Sequence, residues 1–184
     1  MEAFECIVTR RSIRSFTEQP VSEETIKKLL EAVRWAPSWA NTQCWEVVVL
    51  KERENKEKLA GMVSKNNPAI KGIKQAPAVF VVCCKKGVSG FKSGAAVTVR
   101  GDWYMFDAGI ACQNLCLAAH ALGLGTVHVG SFAHEAVDEF LGLPGDVKSV
   151  EIIPVGYPAR EGKAPPRKEL GEFCHLERYG DTYF

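Results

Sequence analysis

The sequence predicts a mixed α/β domain in which amphipathic helices alternate with short buried strands. Three observations carry this. The runs "CWEVVVL" (44 to 50), "AVFVVCC" (78 to 84) and "VEIIPVGYP" (150 to 158) are apolar almost throughout, with the length and β-branched content of strands buried on both faces. Between them lie segments whose apolar residues recur at helical spacing. Finally, 184 residues, 46% of them apolar, suffice to bury one real core and fit one compact domain.

The elements follow in order. Ser22 is placed to cap a helix, Glu23 and Glu24 sit in its first turn where the dipole favours them, and Ile26, Leu29, Leu30 and Val33 form its apolar face. Pro37, Ser38 and Asn41 in "APSWANTQ" end it before the strand at 44 to 50. "KERENKEKLAGMV" reads as an exposed helix, and "NNPAIKGIKQ" as a second short one starting at Pro68, ahead of the strand at 78 to 84. The loop "KKGVSGFKSGAAVTVRG" holds four glycines and few apolar anchors, and reads as a mobile lid. The stretch from 102 to 123 is the longest helix, with Asp102 as cap and Gly123 as stop, apolar on nearly every side. "TVHV" (126 to 129), "HEAVDEFLG" and the run at 150 to 158 give strand, helix and strand.

Residues 1 to 158 thus make the domain, and 159 to 184 a C-terminal extension too polar to fold alone. Leu170, Phe173, Leu176, Tyr179, Tyr183 and Phe184 nevertheless recur through it and need a surface to pack on. That surface is either a neighbouring subunit, the preferred reading, or the chain's own domain. Small residues such as Ala108, Gly109 and Ala111 on the longest helix pose the same alternative, a core helix or one approached by a second subunit.

Composition excludes several functions. A net charge of +1 provides no global field for a nucleic-acid backbone or an anionic membrane. No apolar run of roughly 18 residues is present, and Glu2 and Glu5 stand where a secretory leader would be basic and then apolar, so a cytoplasmic protein is expected. The seven cysteines lack disulfide or zinc-ribbon spacing and read as reduced, buried thiols. Cys112, Cys116 and His120 share one helix stripe, but its ends lie about 12 Å apart, too far for one metal ion; no metal site is expected. "GLGTVHVG" has the glycines of a dinucleotide fingerprint in the wrong order, helix before strand, and no nucleophile motif or carboxylate pair supports a hydrolase.

Two clusters remain. In "RRSIRSF", Arg10, Ser12 and Arg14 alternate, so on extended chain they present two guanidinium forks and a hydroxyl to one anion, such as a phosphate monoester, while Arg11 points elsewhere. "PPRKEL" adds Arg167 and Lys168. In "PSWANTQCW", the polar groups of Ser38, Asn41 and Gln43 stand among Trp39 and Trp45, a combination suited to a flat heteroaromatic ring.

Together with "DAGIACQNLCLAAHALGLGT" and "IIPVGYP", these segments resemble the nitroreductase family of FMN-dependent oxidoreductases, in the family's order and over residues 10 to about 168. The resemblance implies a central, mainly antiparallel sheet flanked by helices, in a homodimer with flavin at the interface. It places Arg10, Arg11, Ser12 and Arg14 in the first flavin-binding motif and Arg167 and Lys168 on the phosphate. Pro37, Ser38 and Trp39 would lie along the isoalloxazine with Asn41 and Gln43 nearby, Lys71 near the pyrimidine edge, and the Val129 and Gly130 backbone near flavin N5. Cys44 stands where the family usually has proline. The implied reaction is ping-pong, with hydride passing from NADH or NADPH to the flavin and on to a quinone, a nitroaromatic or a similar small acceptor. No catalytic side chain is required, and Arg14 would stabilise the reduced ring. Two other readings are a same-fold flavoenzyme of the dehalogenating or flavin-cleaving kind, and a non-enzymatic phosphate-binding module.

Overall fold

A computed structural model describes residues 1 to 184. Its centre is a four-stranded antiparallel sheet formed by β1 (Trp45–Leu50), β2 (Ala78–Lys85), β5 (Gly125–Thr126) and β6 (Val147–Gly156), in the order β1-β2-β6-β5. Two of the apolar runs, β2 and β6, occupy the middle and bury both faces, whereas β1, expected to be buried likewise, lies at the edge and buries only Leu50. Alternation then divides the core. Phe80, Val82, Ile153 and Val155 face α2 (Glu23–Arg34) and α5 (Tyr104–Ala121), while Val79, Val81 and Ile152 join the core formed with α3 (Arg53–Gly61), α4 (Ile70–Gln75) and α6 (His134–Phe140). A register shift between Val82, which pairs with Glu151, and Cys83, which pairs with Ser149, leaves Val150 as the extra residue of a bulge.

The α2 helix begins as its sequence directs, with the Ser22 hydroxyl accepting from the Thr25 amide at 3.1 Å. Elsewhere the elements differ from expectation. A first helix, α1 (Ala3–Thr9), precedes the arginines; it buries only Cys6, too little to leave a periodic signature. The α4 helix starts two residues after Pro68, because Asn67 accepts from the Ala69 amide at 2.9 Å and forms a turn first. The α5 helix starts at Tyr104; Asp102 accepts from its amide at 3.2 Å, but also from the Gly87 amide at 2.7 Å. The strand expected at 126 to 129 pairs only at its ends, through Thr126 to Val155 and Val129 to Ile152.

The glycine-rich segment from 86 to 101 does not have the unanchored form expected of a lid. It carries a small hairpin of β3 (Phe91–Lys92) and β4 (Ala95–Ala96), buries Ser89 completely, and is tied to the base of α5 by the Trp103 amide donating to the Ser89 carbonyl at 3.1 Å. The extension beyond Pro158 lies on the surface: Leu170, Phe173, Leu176, Tyr179, Tyr183 and Phe184 are all exposed. So are Met1, Phe4, Ile7 and Val8 around α1 and Met105 and Phe106 on α5. No helix is long and apolar enough to cross a membrane.

Candidate active site

The arginine segment is held at the end of the sheet where β6 finishes. Ser12 bridges Thr126 in parallel, with the Ile13 amide donating to the Thr126 carbonyl at 2.8 Å. Close packing fixes it from two sides. A Cβ on Gly72 would meet the Arg14 carbonyl oxygen at 2.7 Å, and one on Gly162 would meet Arg11 Cβ at 2.6 Å. The first contact places α4, and with it exposed Lys71, beside Arg14; the second folds the chain after β6 back over the arginines.

The resulting cavity, about 320 Å³, is lined by Arg10, Arg11, Ser12, Arg14, Lys163, Pro165 and Arg167. A neighbouring one of about 310 Å³ adds Arg160 and Glu161. Arg10 Nη1 is buried and has no hydrogen-bond partner within the chain. A buried guanidinium nitrogen left unsatisfied among further cations is costly unless an anion meets it, and a phosphate supplies both the charge and the acceptors. The residues present therefore fit a phosphate-bearing cofactor.

Arg11 departs from the expected alternation. It lines the same cavity, and its Nη1 donates to the carbonyls of Val8 and Arg10, both at 2.8 Å, closing the C-terminal end of α1 as cations do there. Lys168 is exposed and lines none of the arginine cavities, whereas Lys163, unmarked in the sequence beyond its place before two prolines, lines two of them.

The loop carrying Pro37, Ser38, Trp39, Asn41 and Gln43 lies at the opposite end of the sheet. Trp45, which begins β1, pairs with Cys84 late in β2, whereas Ala78, which begins β2, pairs with Val155 beside the arginine segment. About 20 Å of strand separates the two ends. The four main cavities lined by the arginines include no residue of this loop. Ala40, Asn41 and Gln43 all have left-handed φ, at 47°, 57° and 47°. The Ser38 hydroxyl accepts from the Gln43 amide at 2.9 Å, and the Trp39 amide donates to Asp107 at 3.0 Å. Pro37, Asn41 and Gln43 remain exposed.

Between the ends, Val129 exchanges two 3.0 Å hydrogen bonds with Ile152, and the exposed Gly130 amide makes no backbone hydrogen bond. Glu151 Oε2 sits 3.7 Å from where a Gly130 Cβ would be, and Glu151 Oε1 is 3.7 Å from His128 Nδ1. Burial pushes the Glu151 carboxyl up to about 7 and holds the His128 imidazole below its ordinary value, with Arg10 adding to the latter. A lone acid inside "VEIIPVG" is the only sequence signal for Glu151.

The family model described as "Nitroreductase family" matches residues 7–157. A Methanothermobacter thermautotrophicus protein named for NADH dehydrogenase/NAD(P)H nitroreductase is 34% identical over 97% of this chain and 88% of its own. The Bacillus subtilis FMN reductase [NAD(P)H] is 31% identical over 97% of this chain and 74% of its own. Among solved structures, a nitroreductase family protein from Clostridium difficile 630 superposes with a TM-score of 0.83 at 25% identity, covering 97% of this chain and 99% of that one.

Proposed function

The chain belongs to the nitroreductase family, and from that premise we propose how it works: it is an NAD(P)H-dependent oxidoreductase that uses FMN. When bound, FMN supplies the redox chemistry, accepting a hydride from NADH or NADPH and delivering it to a small acceptor such as a quinone or nitroaromatic. The observation that carries the assignment to these residues is the buried, unpartnered Arg10 Nη1 within a cluster of cations.

Arg10, Ser12, Lys163 and Arg167 hold the phosphate, with Lys168 contributing only from the rim. Arg14, with Lys71 alongside it on α4, would place positive charge beside the ring of a bound flavin, where it would favour the reduced, more negative form. The Gly130 amide, free of any backbone partner, would be available to donate to a bound flavin.

The loop from 37 to 43 completes the site from a second copy of the chain, in a homodimer. The separation of the two ends supports this, because one chain cannot bring its own loop to its own arginines. The exposed apolar residues of α1, α5 and the C-terminal extension supply faces for that association. We place the protein in the cytoplasm, in keeping with its seven free cysteines. The competing phosphate-binding module leaves the loop with its half-buried Trp39 and exposed Asn41 and Gln43 amides without a role.

The test is direct. The purified protein should be yellow, release FMN on denaturation, and bleach with NADH or NADPH under anaerobic conditions. A colourless protein that takes up no added FMN would overturn the assignment.

A further inference from the structure

Asp107 is completely buried on α5 and forms no ion pair. The first turn of a helix favours a carboxylate, and here both carboxylate oxygens are directed at one loop. Oδ1 accepts from the Trp39 amide at 3.0 Å, while Oδ2 lies 3.5 Å from Thr42 Oγ1 and 3.6 Å from Cys44 Sγ. Asp107 therefore grips the loop at its front, middle and back.

The loop needs such a grip. Ala40, Asn41 and Gln43 occupy the left-handed region, which side-chain-bearing residues adopt at a cost and keep only when their surroundings enforce it. The Ser38 hydroxyl closes the inside of the loop through the Gln43 amide; the loop's tie to the domain comes from Asp107 and, at its end, from the Lys85 amide donating to the Cys44 carbonyl at 2.8 Å. Cys44 fits this arrangement in two ways. The residue is 4% exposed and its thiol donates to the carboxylate, and as a residue other than proline it leaves Gln43 free to be left-handed. Proline at 44 would have no donor and would drive Gln43 toward extended backbone.

We propose that Asp107, with Cys44 as its thiol donor, is a positioning residue that fixes the 38 to 43 loop in the conformation that receives the flavin ring. This rests on the reading that the loop lines the flavin site. It assigns the buried carboxylate a part in cofactor geometry, exercised through Trp39, Asn41 and Gln43 rather than by contact.

The test uses the full chain with Cys44→Ala, Cys44→Ser and Asp107→Asn, and two measurements. The first is hydrogen exchange of the Trp39 amide in the flavin-free protein; the second is FMN affinity together with the visible spectrum of the bound flavin. Losing one modest hydrogen bond should speed Trp39 exchange and weaken FMN by about threefold to tenfold in Cys44→Ala. Cys44→Ser, which keeps a donor, should restore both to within about twofold and return the flavin spectrum to that of the parent. Asp107→Asn combined with Cys44→Ala should cost no more than Asp107→Asn alone, because both remove the same contact. Equal exchange in the alanine and serine variants would overturn the proposal while leaving the flavin reading intact, provided Arg10→Met still loses FMN. Altered exchange with unchanged FMN affinity and spectrum would instead show that the loop lies away from the flavin, and would overturn both.

Discussion

The two ends of the sheet solve opposite problems. At the arginine end, cations gather around a buried nitrogen that nothing in the chain satisfies, and the backbone, tied down by single bridges at Ser12 and Phe16, has no left-handed residue. At the loop end, the polar groups satisfy one another or Asp107, and the strain resides in three left-handed residues. The first end is unsatisfied chemically and relaxed conformationally; the second is the reverse. In the proposed homodimer a site assembled from both would recognise charge with one end and shape with the other, so each could be damaged without the other.

The largest effect should come from preventing the ends from meeting. Phe106→Arg places a cation on the exposed face of α5; the protein should sediment as a monomer and lose FMN affinity by more than about 100-fold, since half the site is missing. Arg10→Met breaks only the charged end. FMN affinity should fall about 100-fold, equivalent to roughly 2–3 kcal/mol, while the flavin-free protein melts at a higher temperature because an unsatisfied buried donor is gone. Calorimetric titration and thermal melts check the two halves separately.

Glu151, between the ends, should show itself through pH. Its carboxyl titrates near 7 in the folded chain against an ordinary 4.5, so folding favours the neutral form. The stability this contributes is complete below the ordinary carboxylate value and is lost as pH rises through about 7. Glu151→Gln cannot ionise, so in denaturant melts it should match the parent near pH 4.5 and exceed it by about 2 kcal/mol at pH 8, allowing for the exposed fraction of the side chain. Smaller still, Arg167→Ala should weaken FMN by about threefold to tenfold, and Lys168→Ala by less than about twofold, as read by fluorescence titration.

The elements easiest to read in the sequence were those whose stability comes from periodic burial. The runs at 78 to 84 and 150 to 158 became the central strands, and Ser22 caps the helix whose apolar face follows it. The α1 helix left no such trace, because a helix burying one cysteine and exposing Phe4, Ile7 and Val8 has no inward stripe to detect. In the candidate site, alternation grouped Arg10, Ser12 and Arg14, yet Arg11 is turned by the C-terminal carbonyls of a helix that was itself unforeseen. Asp107 and Glu151 were illegible for a related reason. Their environments depend on which segments pack against α5 and β6 in three dimensions, and a single acid in an apolar run carries no record of that.

The separation of roughly 20 Å between the two ends along β2 also has a kinetic and cellular reading. If neither copy holds a whole site, cofactor occupancy obeys a second-order mass-action law in chain concentration, and flavin and dimer stabilise each other reciprocally. Diluting the protein drains its flavin; supplying flavin draws monomers together. The amount of chain a cell synthesises then sets the working fraction of each molecule as well as the number of molecules, so catalytic capacity rises more steeply than abundance at low expression.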